Sequence, residues 1–166
     1  MATIERLGPD DWQEFREIRL RALADAPTAF GMTLADTEQQ PDEAWKARLD
    51  QGDPILAVRD EGRLVAMGAG WHPPEDPDRM MVWGMWTTPE ARGYGHARAL
   101  LGWLVEHART RGATMVELHV TDGNDTARRL YEEQGFVPTG EWTPLREGSD
   151  LRIELLRLQT EQRSWT

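Results

Sequence analysis

The stretch Trp86-Thr87-Thr88-Pro89-Glu90-Ala91-Arg92-Gly93-Tyr94-Gly95-His96-Ala97 constrains this chain more than any other. An apolar run ending at Trp86 reads as a strand, Pro89 turns the chain, and Gly93 and Gly95 open a long helix that Gly112 stops. A helix start presents amides without partners and a partial positive charge, which suits a pyrophosphate. Glycines let such a ligand approach the backbone closely, Ala97 keeps the next position small, and Arg92 adds a permanent cation. The turn lacks the Lys-Ser/Thr pair of a Walker loop and the third glycine of a dinucleotide fingerprint. Alone, a G-x-G turn is most often only a tight connection.

Around this turn the periodicities predict strands over 3–7, 54–59, 64–71, 80–86, 114–120, 136–142 and 151–158. Helices are expected from a cap at Asp10 or Asp11 to about residue 24, and over 41–50, 93–111 and 124–134. The segment between the first two helices reads as a polar loop, as does 72–78 with its three prolines. The order β-α-α-β-β-β-α-β-α-β-β predicts an α/β (α+β) fold: a mixed, mostly antiparallel sheet of about seven strands flanked by about four helices. One domain over 1–158 is expected, followed by a frayed tail over 159–166.

Composition narrows the function. Acidic residues outnumber basic ones 29 to 19, a formal net charge of −10, which disfavours nucleic acid and anionic membranes as partners. With no cysteine, a thiolate metal site and a cysteine nucleophile are excluded, and no metal is expected. No apolar stretch is long enough to span a bilayer and the first residues carry no export signal, so a cytoplasmic location is expected.

A second motif lies downstream. In Val120-Thr121-Asp122-Gly123-Asn124-Asp125-Thr126-Ala127-Arg128-Arg129-Leu130-Tyr131, Asn124 opens a helix and Tyr131 follows seven residues later. Two helical turns place both on one face, pointing at one cleft. Each taken alone has a plainer reading, an N-cap for Asn124 and a core residue for Tyr131.

Together the motifs resemble the GNAT acetyltransferases. Pro89 to Ala97 matches the family's Arg/Gln-Gly-x-Gly-x-Gly/Ala turn, with His96 where an aliphatic residue is usual, and 120–136 matches its V-x-x-x-N-x-x-A-x-x-L-Y-x-x-x-G-F pattern. The resemblance covers residues 80 to 137 and implies a sheet splayed at its centre, with acetyl-CoA as co-substrate. It places the pantetheine arm along Met85, Trp86 and Thr87, and the pyrophosphate on Arg92, Gly93, Tyr94, Gly95, His96 and Ala97. Asn124 and Arg128 join the cofactor set, with Arg98 and Arg129 as further compensating cations.

Tyr131 is then the general acid, hydrogen-bonding the departing sulfur. His119 is the first candidate for the base, because its ordinary pKa of about 6.5 suits proton abstraction near neutrality. Glu117, Glu75 and His72 stand behind it, with a water chain as a further option. In family members that acetylate protein N-termini, a glutamate occupies the position of His119. The acceptor pocket is expected to draw on Phe30, Trp71, Trp83 and Trp142, whose aromatic faces with nearby acids suit a cationic or aromatic amine. A small-molecule amine leads, ahead of a protein N-terminus or lysine. A non-catalytic acetyl-CoA-sensing module is the reading from another class. The family often forms homodimers, although no feature of this sequence demands one.

Overall fold

The computed structural model describes residues 1–160. Seven strands form one sheet in the order β1-β2-β3-β4-β5-β7-β6. They are β1 (Thr3–Arg6), β2 (Ile55–Asp60), β3 (Arg63–Trp71), β4 (Arg79–Thr87), β5 (Met115–Thr121), β6 (Val137–Pro144) and β7 (Arg152–Gln159). Only β4 and β5 pair in parallel; the other neighbours are antiparallel. The helices are α1 (Trp12–Asp25), α2 (Leu34–Glu38), α3 (Asp42–Leu49), α4 (His96–Thr110) and α5 (Asp125–Glu133). None is long and apolar enough to cross a membrane, and no group of three or more metal-ligating side chains occurs among the described residues.

Strand β2 shows why the sheet carries helices on both faces. Leu56 and Val58 point into a core packed under α4, while Ile55 and Ala57 point into a second core with Phe15, Ile18 and Trp45 of α1 and α3. All four are buried, as the two-residue period requires of a strand covered on both sides. Trp45 is fully buried edge-on to Phe15 at 5.3 Å. The β2–β3 turn places Glu61 (φ 50°) and Gly62 (φ 80°) in the left-handed region, the type I′ geometry that matches strand twist.

Three boundaries depart from expectation. Within the expected polar loop lies α2, capped by the Thr33 hydroxyl, which accepts from the Asp36 amide; five residues are too few to display a helical period. Helix α4 starts at His96 and not at Gly93, because φ values of 88° at Gly93 and 84° at Gly95 are not helical. The expected boundary at 158 falls inside β7, where Gln159 pairs with Met115. Thr160 is buried, its amide donating to the Thr114 carbonyl (2.9 Å). The remainder of the expected tail, 161–166, lies outside the described residues.

Candidate active site

Strands β4 and β5 pair over three positions only, Arg79↔Met115, Met80↔Val116 and Met81↔Glu117, and then diverge. The cause is local. Between Met67 and Ala69 of β3 the register slips, with Trp86 opposite Met67 but Trp83 opposite Ala69, so β4 carries one extra residue. Gly84 absorbs the bulge with φ 70°. A bulge adds twist and bends its strand, and beyond it the β5-facing edge of β4 has no strand partner among the described residues.

The divergence opens a cleft of about 1090 Å³. Met85, Trp86 and Thr87 form one wall, Thr121 to Asn124 the other, and Tyr131 closes the back. Arg92, Gly93, Gly95, His96, Ala97 and Arg98 line its mouth. No side chain caps α4, and the first intrahelical bond joins the Ala99 amide to the Gly95 carbonyl (3.0 Å), which leaves the first-turn amides at the cleft. A Cβ added at Gly93 or Gly95 would meet nothing within 4 Å, so both positions face open space. An uncapped helix start, a bare turn and a free strand edge are what the pyrophosphate and amide-bearing arm of coenzyme A require, and the residues fit that group.

The cations are less free than the sequence suggests. Arg92 donates to Asp25 (2.6 Å) and to the Thr87 carbonyl (3.0 Å). Asp25 also accepts from Trp86 Nε1 (2.9 Å), and chiefly that bond, helped by Arg92, holds its carboxyl below the usual carboxylate range. Arg98 lines the cleft but pairs with Glu133 at 2.8 Å. Tyr94 is 76 % exposed, stacked on His96 and outside the cleft lining. Arg128 is also absent from that lining; it pairs with Glu154 at 2.9 Å and lies over Trp142. Arg129 is exposed on the outer side of α5.

A cavity of about 300 Å³ continues inward, lined by Phe30, Trp83, Met85, His119, Asn124 and Tyr131 among others. Asn124 accepts from the Ala127 amide (3.3 Å), so its plainer role as N-cap is fulfilled at the cleft wall. Burial pushes the Tyr131 phenol up to about 12, which keeps it protonated as a donor at neutral pH. His119 projects from β5 into this cavity and a further one, open to water yet hemmed by side chains. That packing lowers its pKa from the ordinary value, against the opposing pull of Glu117 and Glu141, so the neutral imidazole is favoured. The other base candidates lie elsewhere. Glu117 is fully buried between Arg157 (2.8 Å) and Arg79 (3.3 Å), His72 is bonded to Asp53 (2.8 Å), and Glu75 is exposed on the β3–β4 loop.

The further cavity, about 510 Å³, lies beyond His119 and is lined by Trp71, Trp83, Gln51, Asp53, Arg48 and Arg19. Trp142 is not at either inner cavity; Arg128 and Arg152 flank its ring at 5.8 and 5.0 Å. The residue that sequence reasoning missed is Arg19. It is 6 % exposed, lies between the rings of Phe30 (4.8 Å) and Trp83 (5.4 Å), and has buried Nε and Nη1 atoms with no hydrogen-bond partner among the described residues. Burial, then the nearby Arg48 charge, pushes its guanidinium down to about 10. Two cation–π contacts contribute roughly 2 kcal/mol each when desolvated, against several kcal/mol for removing an unpaired cation from water. The signal was present: Arg19 falls on the buried face of α1, one turn from both Phe15 and Leu23.

The 26–31 segment is tied over the cleft. Thr121 Oγ1 donates to the Thr28 carbonyl (2.7 Å), and Arg146 donates to the carbonyls of Pro27 and Phe30 (2.8 Å each). These bonds fix Phe30 against Arg19.

The fold resembles that of yncA from Salmonella typhimurium, solved with its cofactor acetyl-CoA, at a TM-score of 0.80 and 21% identity over 100% of this chain and 98% of that one. It also resembles a ribosomal-protein-alanine N-acetyltransferase from Brucella melitensis, at a TM-score of 0.78 and 22% identity over 95% and 99% of the two chains. In sequence, the mycothiol acetyltransferase of Brachybacterium faecium is 33% identical over 154 residues, covering 87% of this chain and 45% of that protein. The Thermomonospora curvata enzyme of the same name is 36% identical over 117 residues, covering 70% and 37%. This chain thus spans less than half the length of those relatives. The sequence model of the Acetyltransferase (GNAT) family matches residues 12–136, from the start of α1 past the Asn124–Tyr131 helix, and the chain belongs to that family.

Proposed function

We propose that this chain is an acetyl-CoA-dependent N-acetyltransferase that moves an acetyl group directly to a primary amine of a small molecule. The observation that carries the reading is the forked β4–β5 pair, with an uncapped glycine turn at its mouth and a buried phenol at its back. The bound cofactor supplies a thioester whose acetyl carbon accepts the amine nitrogen as the carbon–sulfur bond breaks. Backbone groups of Met85 to Thr87 and the first-turn amides of α4 hold and orient the donor. His119, kept neutral, accepts the proton released by the attacking amine, and Tyr131 hydrogen-bonds the leaving sulfur. No covalent link to the protein is needed, in keeping with the absence of cysteine. Relatives named for mycothiol support a small acceptor, as does the modest cavity around His119.

Calorimetric titration of acetyl-CoA beside a thiol-release assay over an amine panel tests this. Tyr131→Phe is expected to lower kcat by about a hundredfold while leaving acetyl-CoA affinity within about twofold. No binding of acetyl-CoA would sink the reading. Binding without turnover on any amine would favour a sensing module instead.

A further inference from the structure

Helix α1 turns its apolar face to the core, yet one position on that face holds Arg19, more than nine-tenths buried, whose buried Nε and Nη1 have no acceptor among the described residues. An aliphatic residue there would complete the core at no electrostatic cost, so the sequence keeps a cation where folding alone disfavours one. Arg48 lines the 510 Å³ cavity that Arg19 also borders, half-buried over Trp83 at 5.8 Å and without an ion pair among the described residues. The one carboxylate in that lining, Asp53, is bonded to His72. The cavity of about 300 Å³ that joins Arg19 to His119 and Tyr131 has no acidic residue in its lining among the described residues. In a protein of net charge −10, this chamber is locally positive.

We propose that the acceptor amine carries a carboxylate which pairs with Arg19, supported by Arg48, and that the substrate is an amino acid or a close analogue. This deepens the transferase reading above and rests on it. An anion supplies what the buried guanidinium lacks, a planar two-oxygen partner for its donors. Size sets the spacing. Arg19, His119 and Tyr131 line one cavity of about 300 Å³, so carboxylate and reacting nitrogen belong to one small molecule, a few bonds apart. The substrate's side chain then extends into the 510 Å³ chamber against Trp71 and Trp83.

The test is a thiol-release assay at saturating acetyl-CoA with the twenty common L-amino acids, each beside its own carboxamide, which keeps the amine and side chain but removes the charge. The best amino acid is expected to exceed its carboxamide at least tenfold in kcat/KM, and Arg19→Met to bring the two within about twofold. Arg48→Gln, a milder change on a half-buried site, is expected to reduce the preference about threefold. Thermal unfolding without ligand separates binding from structure: Arg19→Met, freed of an unpaired cation, is expected to melt at or above the wild-type temperature. Carboxamides acetylated as well as acids would overturn the proposal. So would an Arg19→Met protein that melts lower and keeps the acid preference, which would make the guanidinium a packing element. Acetyl-CoA titration of the wild type keeps the failures apart. Intact binding with no acid preference sinks only this inference, while absent binding sinks the transferase reading as well.

Discussion

An imidazole accepts a proton only while neutral, so the environment of His119 sets the lower pH limit of its chemistry. Desolvation by the cavity walls holds it below its ordinary 6.5, while Glu117 and Glu141 pull the other way. A lowered pKa keeps the base form present as pH falls. The acid limb of kcat/KM is therefore expected below 6.5, with a plateau above it. Tyr131, with its phenol at about 12, imposes no alkaline limb until near that value. His119→Gln is expected to lower kcat/KM by about a hundredfold and to remove the acid limb. A pH–rate profile unchanged in the variant would pass the role to water. At this scale, Tyr131 and Asn124 were legible because helical spacing alone puts them on one face. Arg128 and Trp142 were not, because their partners, Glu154 and Arg152, approach from β7, distant in sequence.

The fork in the sheet is an element-scale device, and Gly84 is its hinge. An added Cβ there would meet Met67 Cε at 3.1 Å in a backbone with φ 70°, which disfavours any side chain. Gly84→Ala is expected to cost about 1–3 kcal/mol in urea denaturation and to weaken acetyl-CoA binding, since the bulge sets the cleft. Gly102, exposed in mid-α4 with nothing within 4 Å of an added Cβ, supplies the contrast. Gly102→Ala is expected to stabilise by about 0.5–1 kcal/mol and to leave the acetyl-CoA affinity unchanged. Equal effects at the two positions would remove the special role of Gly84. Periodicity announced both elements that hold these glycines. It gave no sign of the bulge, which exists only as a mismatch between β4 and β3.

Across the whole molecule, the fork needs a fixed base. Glu117 lies at the last paired position of β4 and β5, fully buried, and ion-pairs with Arg79 of β4 and Arg157 of β7 at once, accepting a hydrogen bond from Arg157. One carboxylate thus joins the two halves of the sheet where they begin to part. Removing its charge leaves two guanidinium groups short of their partner. Glu117→Gln is expected to cost about 3–5 kcal/mol of stability in chemical denaturation. A loss under about 1 kcal/mol would show that the halves are held by packing alone.

The sequence by itself determined the order of the seven strands and of four helices, the glycine turn and the Asn124–Tyr131 face. All of these rest on local periodicity and local backbone preference, which neighbours along the chain are enough to express. Tertiary structure decided where β4 leaves β5, which arginines pair with internal carboxylates, and that Arg19 is a cation buried with Nε and Nη1 unpartnered among the described residues. Those outcomes depend on register and desolvation between segments far apart in the chain, such as α1 against the bulge of β4, and such terms exist only once the sheet has closed around them.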